Sequence, residues 1–169
     1  MDNRPEFTLL QNASLALLIL VLGVMAGFFW TYSFNVNYAM LEVSGEYYAT
    51  MQSLFNVNVR HVMFFSFFFG GGAFGVLAVL INLKHTRHFS FWLITLATVI
   101  YILGIIVYTR EVNLPLNYYT ESWDPKNLPE DWQSIRDQWN QTNLIRVGTS
   151  LSAFSLAIIA LLSRSLCRR

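Results

Sequence analysis

Cysteine, charge and helix breakers are all scarce in this chain. A single cysteine, Cys167, occurs in 169 residues. A lone cysteine forms no internal disulfide and supplies no Cys-x-x-Cys pair, which excludes dithiol redox chemistry and leaves a plain free thiol. Charged residues make up 12% of the sequence, the formal net charge is +1, and no basic patch is interleaved with aromatics. Nucleic acid is therefore excluded as a partner. Histidine is equally rare. His85 and His88 share a basic turn, and His61 has no carboxylate or thiol at ligand spacing. No metal site, no bound haem and no other cofactor is expected.

What the chain has in abundance is apolar sequence, 54% of its residues. It is gathered in runs free of Asp, Glu, Lys and Arg at about 14–32, 62–83, 89–109 and 147–163. A bilayer-crossing helix needs about 20 mostly apolar residues. Lipid cannot hydrogen-bond an open backbone, so each run should be helical. The ten-residue alternation of a membrane barrel is missing. The expected fold is an all-α integral membrane protein, a four-transmembrane-helix bundle forming one domain over residues 1–169. The first run is too long for a signal-peptide core and ends in Phe28-Phe29-Trp30-Thr31-Tyr32, which reads as an interfacial belt.

Basic residues locate the cytoplasmic side. Arg4, then Lys84 and Arg87 in the turn between runs two and three, then Arg164, Arg168 and Arg169 fall on one side. Both termini are expected in the cytoplasm, in a bacterial plasma membrane. The other side carries segments at about 33–58 and 110–141. It holds Arg60, Arg110, Lys126, Arg136 and Arg146 with nearly all the acids. Leu128-Pro129-Glu130-Asp131 reads as a helix start. A helix from there through the fourth run would span about 50 Å at 1.5 Å per residue, well beyond a core of about 30 Å. No proline falls between Glu46 and Leu83. Helices two and four should therefore both extend into an outer-side cap.

The outer segments hold the chemistry. Trp132, Arg136, Trp139, Asn143 and Arg146 recur at helical spacing and share one face. That face reads either as a snorkelling belt at headgroup level or as a cavity wall, and its narrowness favours the wall. Gln52, Asn56 and Arg60 form a second stripe, suited to interhelical hydrogen bonds or to a ligand. Asn113-Leu114-Pro115-Leu116-Asn117 suits a tight turn, or the mouth of a cavity together with Tyr118 and Tyr119. Gly71 and Gly75 permit close helix packing.

Met51-Gln52, Asn56, the Asn113-x-Pro-x-Asn117 stretch and Trp132…Arg136…Trp139…Asn143…Arg146, taken with the four apolar runs, resemble the anthrone-oxygenase-like family of small four-helix membrane proteins. The resemblance covers nearly the whole chain. It implies the bundle fold and, more distantly, oxidation of anthrones to anthraquinones without a recognised cofactor. The sequence departs from the pattern at Arg60-His61, where many relatives carry Asn-Pro.

Two readings of function follow. In the first, an enzyme takes a planar lipophilic substrate from the outer leaflet. Its catalytic residues would be His61 as base, with Arg136 and Arg146 stabilising an oxyanion. Gln52, Asn56, Arg60, Asn113, Asn117, Trp132, Trp139 and Asn143 would contact the substrate. In the second, the same surface binds a lipid, a quinone or a partner membrane protein without chemistry. The expected partners are membrane lipid and a lipophilic small molecule, with a homo-oligomer left open.

Overall fold

The structure is a computed structural model that describes residues 7–166. Cys167, Arg4, Arg168 and Arg169, on which parts of the sequence reading rest, lie outside the described residues. Among the described residues, four helices are long and apolar enough to cross a membrane: α1 (Leu9–Leu41), α3 (Val62–Ile81), α4 (Phe89–Glu121) and α5 (Trp132–Leu166). A shorter helix, α2 (Gly45–Asn58), lies between α1 and α3. Large apolar side chains cover the outside as well as the core, with Leu20, Phe69 and Leu162 all more than half exposed. A helix that is apolar all round belongs in lipid. The chain is a four-helix membrane protein.

The spanning helices pack as a closed ring in the order α1, α3, α4, α5. On α1 the core face is Leu15, Leu18, Leu22, Met25 and Phe29, at alternating steps of three and four. It meets Ala153, Ala157 and Ala160 on α5, small residues that let the two backbones approach. On α3 the glycines do the same work. A Cβ on Gly71 would collide with the ring of Tyr101, and one on Gly75 would sit 2.7 Å from Thr98 Oγ1. Tyr101 uses the room to donate its hydroxyl to the Phe68 carbonyl at 2.9 Å.

One end of the ring is tied together by Arg164, 5% exposed near the end of α5. Its guanidinium donates to the Gln11 carbonyl at 3.0 Å and Asn12 Oδ1 at 2.9 Å on α1, to Asn82 Oδ1 at 2.8 Å where α3 ends, and to Ser90 Oγ at 2.9 Å on α4. Its face lies 4.1 Å from the Phe7 ring centre. His85 and His88 pack on that same ring. Burial and the nearby Arg164 charge hold both imidazoles below their usual pKa.

Toward the other end the helices run differently from the sequence reading. The helix expected from Gly45 to Leu83 is two helices, broken at Val59–His61, where His61 caps α3 by accepting the Phe64 N–H at 3.3 Å. The turn expected at Asn113–Asn117 is helix, because α4 continues to Glu121. Pro115 lacks an N–H and would clash with a carbonyl in ordinary α geometry. Here it follows a π turn, Thr109–Asn113, whose wider register shifts the preceding carbonyls. A further π turn, Tyr32–Val36, lets α1 run on to Leu41. Helix α5 is continuous over 35 residues, as its start signal implied. A second, smaller core of Met40, Tyr48, Ala49 and Trp123 joins α1, α2 and the segment after α4.

Gly71→Ala should lower the thermal midpoint in detergent, costing about 1–3 kcal/mol for a methyl forced against the Tyr101 ring. Gly148→Ala, with no atom within 4 Å of its Cβ position, should be neutral or slightly stabilising. Equal losses for both would contradict the packing described.

Candidate functional site

The polar stripe of α5 turns inward. Trp139, Asn143 and Arg146 are buried, while Gln133, Asp137 and Gln141 on the opposite face are exposed. The stripe is thus a wall rather than a headgroup belt. Arg146 is only 7% exposed. Its Nη2 donates to Asn143 Oδ1 at 2.6 Å, and its cation lies 4.8 Å from the Phe29 ring and 5.7 Å from the Trp139 ring. Among the described residues no carboxylate pairs with it, and its Nε is buried without a partner. Removing a guanidinium from water costs several kcal/mol. The ring contacts, each worth up to about 2 kcal/mol when desolvated, offset part of that. Asn143 is itself anchored, its Nδ2 donating to Ser33 Oγ at 2.6 Å.

A hydrogen-bond chain runs beside this wall. Tyr32 donates to Gln52 Oε1 at 2.6 Å, Gln52 to Asn56 Oδ1 at 3.2 Å, and Asn56 to Thr120 Oγ1 at 3.1 Å. Thr120 donates to the Asn117 carbonyl at 3.0 Å, and the Trp139 indole N–H donates to Asn117 Oδ1 at 2.6 Å. Gln52 is fully buried and Asn56 nearly so.

These elements line a half-open cavity of about 720 Å³. Its side between α1 and α3 is aromatic, built from Phe28, Phe64, Phe65, Phe68 and Phe69. Its polar side carries Tyr32, Asn56, Thr109, Asn117, Asn143 and Arg146, with Trp139 among them. A mostly apolar pocket with a few fixed polar groups is the general form of a small-molecule site.

Among the residues proposed from sequence, the cavity gathers Asn56, Arg60, Asn117, Trp139, Asn143 and Arg146. Gln52 stands behind its wall, holding Tyr32 and Asn56. Asn113 is fully buried, donating to Thr142 at 2.8 Å. The remaining three stand apart. Trp132 packs on the smaller core, and Arg136 lies over it at 5.3 Å with its Nε on Asp137. Their side chains share the inward face, but Trp132 lies seven positions before Trp139, about 10 Å further along the axis at 1.5 Å per residue. His61 is exposed and its Nδ1 is taken by the helix cap. Arg60 pairs with Glu121 near the cavity rim.

Residues 51–156 match the family described as anthrone oxygenase. The chain belongs to that family. No curated protein and no solved structure matches it. The family match covers the α5 stripe, the whole of α4 and the Gln52–Asn56 pair, and begins after Tyr32 and Ser33.

Sequence reasoning missed Tyr32, Ser33, Thr109 and Thr120. Tyr32 closes an apolar run and reads as a belt residue, Ser33 opens the outer segment that follows, and a hydroxyl pointing inward leaves no periodic signal. Among the described residues, no three His, Cys, Asp or Glu side chains gather as metal ligands. In the smaller core Tyr48 keeps a buried, unpartnered hydroxyl, and burial pushes its pKa well up.

Asn143→Ala should destabilise the protein by about 1–3 kcal/mol, because the Ser33 hydroxyl and the Arg146 guanidinium both lose a buried partner. Arg60→Ala should cost less than about 1 kcal/mol, since its partly exposed pair is screened. Thermal midpoints of the two variants in the same detergent test this, and the reverse order would contradict it.

Proposed function

We propose that the protein is an oxygenase acting without a bound cofactor on a planar, lipophilic aromatic substrate held in this cavity. The observation that carries the reading is Arg146, a buried cation without a carboxylate in an aromatic-lined wall. A desolvated guanidinium of this kind favours a ligand that brings the missing negative charge. A ketone with an acidic ring CH₂ supplies it as an enolate. Anthrones, named in the description of the family, are ketones of that type.

In this scheme the ring lies against the Trp139 face and the enolate oxygen accepts from Arg146. The cavity wall has no Asp, Glu or His, so water takes the proton from the ring CH₂. The electron-rich carbon passes an electron to dioxygen, and the resulting pair combines to a peroxide anion that picks up a proton. Loss of water leaves a carbonyl at that carbon. The balance is CH₂ plus O₂ to C=O plus H₂O, a four-electron oxidation matched by a four-electron reduction. His61 and Arg136 have no role in it. The aromatic wall between α1 and α3 supports access from the lipid of the outer leaflet, with Lys84 and Arg87 on the cytoplasmic side of a bacterial plasma membrane.

A second reading, binding of an anionic lipophile or quinone without turnover, is favoured by the same lack of an acid–base side chain. Oxygen consumption with anthrone in purified membranes separates the two. Wild type should consume dioxygen, and Arg146→Lys should slow it by roughly 3 kcal/mol of barrier, more than a hundredfold, without unfolding the protein. A wild type that binds anthrone but consumes no dioxygen leaves the second reading alone.

Orientation is checked by Thr86→Cys in a Cys167→Ser background. An impermeant maleimide should label it only after cells are opened, and labelling of intact cells would reverse the assignment.

A further inference from the structure

The cavity is lined by a cation, Arg146, and by Tyr32, a phenol whose oxygen can only accept. The polarity of the chain behind the wall is forced from one end. A backbone carbonyl cannot donate, so Thr120 Oγ1 must give its proton to the Asn117 carbonyl. Thr120 is then an acceptor, which turns the Asn56 amide so that Nδ2 faces it. Asn56 Oδ1 is left facing Gln52, whose Nε2 must donate to it. That leaves Gln52 Oε1 toward Tyr32, and the Tyr32 proton is committed to it at 2.6 Å. Among the described residues no group donates to the Tyr32 oxygen, so it has lone pairs alone to offer a ligand.

Two neighbouring polar groups of the wall are spoken for in the same way. The Trp139 N–H is used by Asn117, and Asn143 is used on both sides of its amide. Among the described residues that line the cavity, two fully buried polar atoms have no partner, Arg146 Nε and the Thr109 hydroxyl. Tyr32 and Thr109 each begin a π turn. Such turns cluster at functional sites because the extra residue re-aims a side chain. Tyr32 stands near the cation, its ring 4.8 Å from Trp139, over which Arg146 lies.

We propose that Tyr32 is a specificity-determining residue, which selects lipophilic phenols or enols carrying a hydroxyl donor in addition to the oxygen held by Arg146. The inference rests on the reading of this cavity as the ligand site. It concerns binding and does not require turnover. A ligand hydroxyl gives its proton to Tyr32 Oη. The same oxygen capped as a methyl ether meets an acceptor with nothing to offer and leaves both lone-pair sets unsatisfied.

The test measures affinities without dioxygen, from tryptophan fluorescence of the full chain in detergent. The probes are isomeric dihydroxynaphthalenes and their mono-O-methyl ethers. At least one diol should bind wild type about tenfold more tightly than its ether, the worth of one net hydrogen bond. Tyr32→Phe should bring that ratio to about one by weakening the diol alone. Gln52→Leu should also erase the preference, by a different route: the freed Tyr32 proton can now be donated to the ether oxygen, so the ether gains affinity. A preference that survives Tyr32→Phe, a Gln52→Leu variant whose ether affinity stays unchanged, or a folded wild type that binds no diol better than its ether each overturns the proposal. Oxygen consumption that persists in any of these cases leaves the oxygenase reading standing, and binding selectivity without consumption leaves this one.

Discussion

A positive charge buried without a negative one governs the polar end of this bundle. Arg146 enters the apolar region on α5 with an amide and two aromatic faces for company. Lipid offers it nothing, so the protein must either satisfy the group or hold it open for something else. Asn143 takes one N–H and is in turn fixed on Ser33, which belongs to the π turn of α1. Trp139, set against one face, is steadied by Asn117 from α4. Positioning this one guanidinium thus recruits side chains from three helices.

The other end of the molecule shows what a satisfied arginine looks like in the same protein. Arg164 is as little exposed as Arg146, and it too lacks a carboxylate among the described residues. It nevertheless donates to four neutral acceptors spread over α1, α3 and α4. Such a group locks helix ends and has little left to offer a ligand. The two arginines are similarly shielded from solvent, and they differ in saturation. That contrast supports a structural role for the Arg164 end and the proposed ligand site at the Arg146 end, and it is independent of the family match.

Much of the architecture was legible because lipid imposes simple rules. Uncharged runs of sufficient length mark spanning helices, and the three-and-four spacing from Trp132 to Arg146 marks an inward face. The axial dimension was harder to read. Trp132 and Arg136 share the angular face of Arg146 yet pack elsewhere, since a face pattern does not say where along the helix a cavity begins. Local geometry hid more. Asn113–Asn117 carries a proline flanked by asparagines, a fair turn signal, and only the π turn before it keeps α4 helical. The break at Val59–His61 has no proline in this chain, and a lone His61 cap is a weak mark of a helix start. Tyr32 could not be told from a belt aromatic until Gln52 was found against its hydroxyl.

The most direct test of the account is a structure of the protein with a lipophilic phenolate such as 2-naphtholate bound. The account predicts its oxygen within about 2.7–2.9 Å of an Arg146 guanidinium nitrogen, the range of a charge-assisted hydrogen bond, with the ring against Trp139. A phenolate bound elsewhere, with Arg146 instead paired to a protein carboxylate or carbonyl, would contradict it.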